Sequence, residues 1–202
     1  MSATLVSIIG PPAAGKTTLA EALAARLGAE VIYEDYAGNP FLAASYAGEA
    51  SAKLPAQLYY LMSRVGQLAL ATWPEAGLRV SDYGFCHDRM YARRQLDGED
   101  WELYDRLARR VEPLVKPPDL LVGVDAGADE LARRIARRGR RFERSIDRGL
   151  LQALRDACLA EAPPGCPALR LSAEEADFRD AETLDAIAAQ VRRELAGEKT
   201  VL

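Results

Sequence analysis

GPPAAGKTT, Gly10 to Thr18, follows the apolar run Leu5 to Ile9 and leads into Leu19 to Leu27. A strand, a glycine-bounded loop and Lys-Thr at the opening of a helix fit the phosphate-cradling pattern G-x-x-x-x-G-K-[ST]. The residue types follow from the chemistry. Gly10 and Gly15 let the loop amides, those of Ala13 and Ala14 among them, converge on phosphate oxygens, and the helix opened by Lys16, Thr17 and Thr18 directs the positive end of its dipole at the same oxygens. Lys16 neutralises charge, and the Thr17 hydroxyl can be offered to Mg²⁺. The strand before and the helix after set this stretch apart from a chance match in a loop. ATP or another nucleoside triphosphate is therefore expected to bind here with Mg²⁺.

Working outward, Val31 to Tyr33 reads as a second short strand, with Gly28 ending the helix between the two. After Glu34 the stretch DYAGNPFLAASYAGEASAKLP is irregular, rich in Gly, Ala and Ser and punctuated by Pro40 and Pro55. A helical pattern resumes over Ala56 to Thr72 and ends at Pro74. Leu78 to Tyr83 is the third strand candidate, followed by helices over Asp88 to Leu96 and Trp101 to Val115, the latter stopping before Pro117 and Pro118. The apolar run PDLLVGVD suits a buried parallel strand. Ala128 to Arg138 is helical, Gly139 breaks it, Ile146 to Glu161 forms another helix, Ala168 to Leu171 is the last strand and Asp180 to Leu195 the closing helix. Strands separated by helices predict an α/β fold of three layers, with a central parallel sheet covered on both faces. No repeat or low-complexity linker divides the chain, so residues 1–202 read as one domain.

A chain of 202 residues with 49% apolar composition is long enough for one sizeable core. Its net charge of -4 gives no overall attraction to nucleic acid or to an anionic membrane, and neither partner is expected. The three cysteines, Cys86, Cys158 and Cys166, form no C-x-x-C pair, and their odd number fits a reducing cytoplasm better than a disulfide framework. Cys86 adjoins His87, the one histidine, without enough companions for a zinc site. No apolar run approaches ~18 residues and no charged segment precedes an apolar stretch at the N-terminus, so neither a membrane span nor a secretion signal is expected.

A phosphate loop alone does not separate kinases from ATPases or GTPases; the remaining polar residues must do so. Glu34, directly after the second strand, is placed to accept a proton from an attacking hydroxyl; the alternative is a solvated loop acid. Asp82, at the end of the third strand, is placed to hold Mg²⁺ directly or through water, or else to cap a turn. Gln57 and Arg64 are seven positions apart, hence on one helix face, where an amide and a guanidinium can read the edge of a nucleobase. The opposing reading is an ordinary polar outer face. The run RRIARRGRRFER, Arg133 to Arg144, continues from a helix end over Gly139 into a loop, and its arginines can close over triphosphate oxygens. A solvated helix or a nucleic-acid patch is the alternative, which the acidic total disfavours.

Together these groups make the sequence resemble the deoxynucleoside kinase family, and within it the bacterial deoxyadenosine and deoxyguanosine kinase-like branch. The resemblance covers most of the chain. It rests on the order and spacing of GPPAAGKTT, Glu34 followed by NPFL, QLYYLMSR at Gln57 to Arg64, SDYGF at Ser81 to Phe85, PPDLLVGVDA and RRIARRGRRFE. It implies a P-loop kinase fold with five strands and an arginine-rich lid at about 134–146, a deoxynucleoside substrate and a homodimer. By the resemblance, Glu34 is the base for the sugar 5′-hydroxyl, Gln57 and Arg64 bind the nucleobase, and Tyr46 and Glu143 hold the 3′-hydroxyl. Arg134, Arg138 and Arg140 match the lid arginines, the first two beside the donor phosphates and the last two on the transferring charge. Ala56 stands where some members carry a stacking aromatic, which leaves Tyr91 as the aromatic wall.

The sequence departs from the family at one important place. Many members follow the third strand with an acid-Arg-Ser motif, in which the arginine orients the catalytic acid; here Asp82 is followed by Tyr83 and Gly84. Arg89 or a lid arginine is the expected replacement. Asp88 has the spacing of an acid that helps to read the base in some relatives, and a one-residue gap would put His87 there instead. The expected activity is transfer of the γ-phosphate of ATP to the 5′-hydroxyl of a deoxynucleoside, a purine deoxynucleoside or deoxycytidine. The alternatives are a nucleoside monophosphate or other small-molecule kinase and, from another class, a non-catalytic nucleotide-binding regulator.

Overall fold

In the computed structural model, which describes residues 2–140, 143, 146, 148–158 and 163–197, the first apolar run forms β1 (Thr4–Ile9). It lies at the centre of a parallel sheet with β2 (Glu30–Ile32), β3 (Leu78–Ser81), β4 (Leu120–Asp125) and β5 (Ala168–Ser172), in the order β2-β3-β1-β4-β5. Val6 is in register with Val80 on one side and Leu120 on the other. The chain thus leaves β1 toward one edge and later returns to its other side, so the loop after β1 emerges where the strand order reverses. In open parallel sheets that crevice is where ligands bind.

Alternation along the strands sends side chains to two covered faces. Val6, Ile8, Val80, Leu120, Val122 and Val124 pack with Leu19 and Leu23 of α1 (Lys16–Leu27), Leu131 and Ile135 of α6 (Ala128–Arg138), and Leu184 and Ile187 of α8 (Ala181–Leu195). Each fully buried side chain of this kind contributes about 1.5–3 kcal/mol. On the other face Leu5, Ile32 and Tyr83 meet Leu68 and Val115. Beyond them α3 (Ala50–Gln67), α4 (Asp88–Gln95) and α5 (Gly98–Val111) pack through Leu61, Ala92, Leu96, Tyr104 and Ala108. Helix, sheet and helix are the three layers expected of the α/β pattern.

The segment from Asp35 to Pro55 is more regular than its composition predicts. It contains the short α2 (Leu42–Tyr46), and α3 begins at Ala50 and runs through Pro55. Pro55 has no N–H for the carbonyl of Ser51, but Ser51 is exposed, so that carbonyl can turn to water. The same helix stops at Gln67 rather than Thr72; Leu70–Thr72 is a separate 3₁₀ turn. α5 begins earlier and ends earlier than expected, and β3 ends at Ser81, which leaves Asp82 and Tyr83 on the loop above the sheet. α7 occupies Arg148–Ala157, while the expected helix end at Glu161 lies outside the described residues. Among the described residues no helix is long and apolar enough to cross a membrane.

Candidate active site

The loop between β1 and α1 has a backbone that side chains would obstruct. Gly10 has φ of 151°, and a Cβ there would lie 2.4 Å from the Val124 carbonyl oxygen. The close approach presses the loop against the end of β4. Ala13 and Gly15 also have positive φ, and α1 opens directly behind them. The Lys16 ammonium donates to the carbonyls of Gly10 and Pro11 at 3.0 Å each. Burial pulls its pKa below the ordinary lysine value, against the charges of Glu34 and Asp82, which raise it. A desolvated ammonium beside a curved row of amides is a set of groups that phosphate oxygens fit.

Asp82 ties three chain segments together. One carboxylate oxygen accepts the Thr17 hydroxyl at 2.6 Å and the other accepts the Glu34 backbone N–H at 2.7 Å. The start of α1, the end of β2 and the end of β3 are thereby fixed to one another. Thr17 and Asp82 form an oxygen pair suited to a hard cation, and since both Asp82 oxygens already accept hydrogen bonds, contact through water fits them best.

The cleft above these strand ends has a volume of about 840 Å³ and reaches from the phosphate loop to α3 and α4. Glu34 forms an ion pair with Arg64, whose guanidinium also pairs with Asp88. Arg64 is buried and stands between two aromatic rings, 5.0 Å from the centroid of Tyr60 and 5.1 Å from that of Tyr83. Burial alone would lower its pKa, but the adjacent Glu34 charge and hydrogen bond raise it above the usual value. Between the two positions considered for the base-side acid, Asp88 takes the ion pair behind Arg64, and His87 lines the cleft. Burial, followed by the charges of Lys16 and Arg64, lowers the His87 pKa to about 4, while a backbone hydrogen bond at Cys158 opposes them.

Gln57 also lines the cleft, and its amide donates to Gln95 Oε1 at 3.2 Å. The Ser45 hydroxyl donates to that same oxygen at 3.4 Å. Gln95 escaped the sequence reading although it lies one helical turn beyond Tyr91, on the same face of α4. The Tyr91 hydroxyl donates to the Gly10 carbonyl at 3.2 Å and joins the two ends of the cleft. Tyr46, at the end of α2, has its hydroxyl pKa raised by burial and by the charges of Glu34 and Glu143. The Glu143 carboxylate accepts from Arg138 Nε at 3.0 Å and lies 3.5 Å from Arg140. The Arg140 guanidinium rests 4.0 Å over the ring centre of Tyr36, an exposed residue on the loop after Glu34. Arg141, Phe142 and Arg144 of the arginine run lie outside the described residues.

Arg134 is placed differently from a free lid arginine. It donates to the Ala14 carbonyl at 3.2 Å, the Ala173 carbonyl at 2.8 Å and Glu130 at 2.6 Å. It therefore clamps the phosphate loop to the segment after β5, whose Glu174 to Arg179 line the donor end of the cleft. Arg89, offered as a substitute for the missing family arginine, is engaged instead with Asp105 of α5, its Nε at 2.8 Å.

Comparison with known proteins decides what this assembly is. A model of the family described as deoxynucleoside kinase matches residues 6–195. The chain belongs to the deoxynucleoside kinase family. Among its curated relatives, the deoxyadenosine kinase of Dictyostelium discoideum is 29% identical over 192 residues, covering 91% of this chain and 77% of that protein. The deoxyguanosine kinase of Bacillus subtilis is 28% identical over 186 residues, covering 88% and 90% respectively. A solved structure of deoxyadenosine kinase from M. mycoides with the products dCMP and a flexible dCDP bound superposes with a TM-score of 0.78 at 20% identity, covering 94% of this chain and 98% of that one. Another, with bound dATP, gives 0.75 over 94% and 99%. These likenesses carry the P-loop kinase fold. As a deoxynucleoside kinase, the chain is a phosphotransferase with a nucleotide as phosphate donor, and the rival readings as a monophosphate kinase or a non-catalytic regulator give way.

Proposed function

We propose that this deoxynucleoside kinase transfers the γ-phosphate of Mg²⁺-bound ATP to the 5′-hydroxyl of a purine deoxynucleoside, deoxyadenosine or deoxyguanosine, or else of deoxycytidine. The observation that carries the reading is the chain of contacts Thr17, Asp82, Glu34, Arg64. It brings the cation-binding hydroxyl of the phosphate loop and a carboxylate facing the cleft into one rigid unit. Arg64 occupies Glu34 Oε1, and Oε2 remains for the hydroxyl proton. Lys16 and the amides of Gly10, Ala13, Ala14, Gly15, Thr17 and Thr18 hold the donor phosphates. Arg138 and Arg140 meet the charge of the transferring group, and Tyr46 and Glu143 hold the 3′-hydroxyl. Thr17 and Asp82 would hold the Mg²⁺, which would supply charge neutralisation at the donor phosphates. Gln57 keeps its carbonyl oxygen and one N–H for the edge of the base, with Tyr91 as the aromatic wall.

A neutral acceptor suits the far end of the cleft. Arg64 is already matched by Glu34 and Asp88, so its charge is not available to an acceptor phosphate. The names of the two curated relatives support a purine. The enzyme works as one domain, with Arg138 and Arg140 at its lid, in the cytoplasm. It forms a homodimer through the face of α3 and α5, where Met62, Leu103 and Leu107 are exposed.

The test is ADP release from Mg·ATP with each of the four deoxynucleosides and their monophosphates supplied singly. Release dependent on deoxyadenosine or deoxyguanosine is expected, and release with monophosphates alone would refute the reading. Glu34→Gln should retain ATP affinity and lose turnover by about 10²–10⁴-fold; near-normal turnover would remove the general-base assignment.

A further inference from the structure

Tyr83, directly after Asp82, is buried. Its ring forms one wall of the slot that holds Arg64. Its hydroxyl donates to Gln67 Oε1 at 2.6 Å, and Gln67 Nε2 donates to the Tyr33 carbonyl at 2.9 Å. That carbonyl belongs to the peptide immediately before Glu34. The next N–H, that of Glu34 itself, is held by Asp82, the neighbour of Tyr83 in sequence. Both hydrogen-bonding groups of the Tyr33–Glu34 peptide bond are therefore fastened, one directly by Asp82 and one by Tyr83 through Gln67. The carboxylate beyond is fastened by Arg64, which Tyr83 and Tyr60 hold in place by cation–π contact.

We propose that Tyr83 and Gln67 are positioning residues for Glu34, acting through this tyrosine-glutamine-carbonyl relay. The inference rests on the reading of Glu34 as the general base. Tyr83 has no charge to offer, so it acts at one remove, through the backbone on one side and through Arg64 on the other. Misplacing a reacting group by about 1 Å costs as much as 10²-fold in rate, so loosening either arm should appear in kcat.

Four variants test this. Tyr83→Phe and Gln67→Leu break the same hydrogen-bonded arm from opposite ends, and each should lower kcat by about 10-fold while KM for ATP stays within about 2-fold. The double variant should be no slower than either single one, because only one relay is lost. Tyr83→Leu, which also removes the wall of the Arg64 slot, should lose about 100-fold. If Tyr83→Leu fails to fold, the two milder variants still decide, since Gln67 is half-buried and phenylalanine keeps the ring in place. In a Glu34→Gln background none of these changes should slow the residual rate further; continued losses there would overturn the inference, because a merely structural role would persist. Wild-type kcat in Tyr83→Phe and Gln67→Leu, with Glu34→Gln inactive, would overturn the relay and leave the general base intact. Wild-type turnover in Glu34→Gln would overturn both.

Discussion

Acidification from about pH 7 to about pH 5 should cost this enzyme about 2 kcal/mol of stability through His87 alone. The imidazole is buried near Lys16 and Arg64, and its pKa falls to about 4, against about 6.5 in an unfolded chain. As the pH drops through the upper value the unfolded chain binds a proton first, while the folded protein keeps the ring neutral. Stability therefore declines between these two values and is level above them. The full gap is worth about 3 kcal/mol, of which about two-thirds has been lost near pH 5. For a protein of this size the loss is a fall of about 5 °C in the thermal midpoint. The assay is urea unfolding at both pH values, followed by the fluorescence of Trp73 and Trp101, for the wild type and for His87→Gln. The wild type should lose about 2 kcal/mol more than the variant over the interval. Parallel losses within about 0.5 kcal/mol would show that His87 is protonated in the folded state or accessible to water, and the electrostatic picture of the cleft floor would be wrong.

Gly10→Ala should weaken binding of a non-hydrolysable ATP analogue by about 100-fold in titration calorimetry, since its Cβ must displace the loop from the Val124 carbonyl. Gln95→Leu should raise KM for the nucleoside by about 10-fold without changing KM for ATP, because the Gln57 amide loses the acceptor that fixes its direction. Asp125→Asn should lower stability by about 0.5–1 kcal/mol near pH 7 by weakening the contacts of Asp125 with the half-exposed Arg155 at 2.5 Å and the exposed Arg170 at 2.6 Å. Burial raises the Asp125 pKa, but the two arginines outweigh it and hold the carboxyl below the ordinary range. The contribution is thus present above about pH 4 and is lost as the pH falls through the lower folded value, so melting curves of Asp125→Asn and wild type should converge in acid.

The donor half of the cleft was legible in the sequence because its physics is local. A strand, a bend that only particular backbones can make, and a helix start all lie within Leu5 to Leu27, and Lys16 and Thr17 follow from them. Glu34 and Asp82 were legible for a related reason: each follows the end of a parallel strand, and those strands, β2 and β3, are neighbours in the sheet. What joins the two acids was not legible. The hydrogen bonds of Asp82 to Thr17 and to the Glu34 backbone, and the relay from Tyr83 through Gln67, depend on side chains far apart in sequence. Gln67 looked like an ordinary polar residue near a helix end. The stretch around Pro55 was misread because a proline after five residues of helix removes only one donor, which an exposed turn tolerates. Arg134 was placed among the lid arginines by the family resemblance; in the structure its guanidinium donates to carbonyls of the phosphate loop and of the segment after β5.

The placement of the two glutamines has a consequence for how such an enzyme can change its acceptor. Gln57 and Gln95 project from α3 and α4, outside the sheet, whereas Glu34 and Asp82 follow the ends of β2 and β3 and Lys16 and Thr17 open α1. Under the proposed roles, replacing either glutamine reshapes the acceptor end of the cleft apart from the donor end, whereas Arg64 and Gln67 of the same α3 reach back to Glu34 and its backbone. Tyr91 marks the border between the two ends. Its bond to Gly10 makes it the innermost point to which the acceptor chamber can be remodelled before the donor machinery begins to shift.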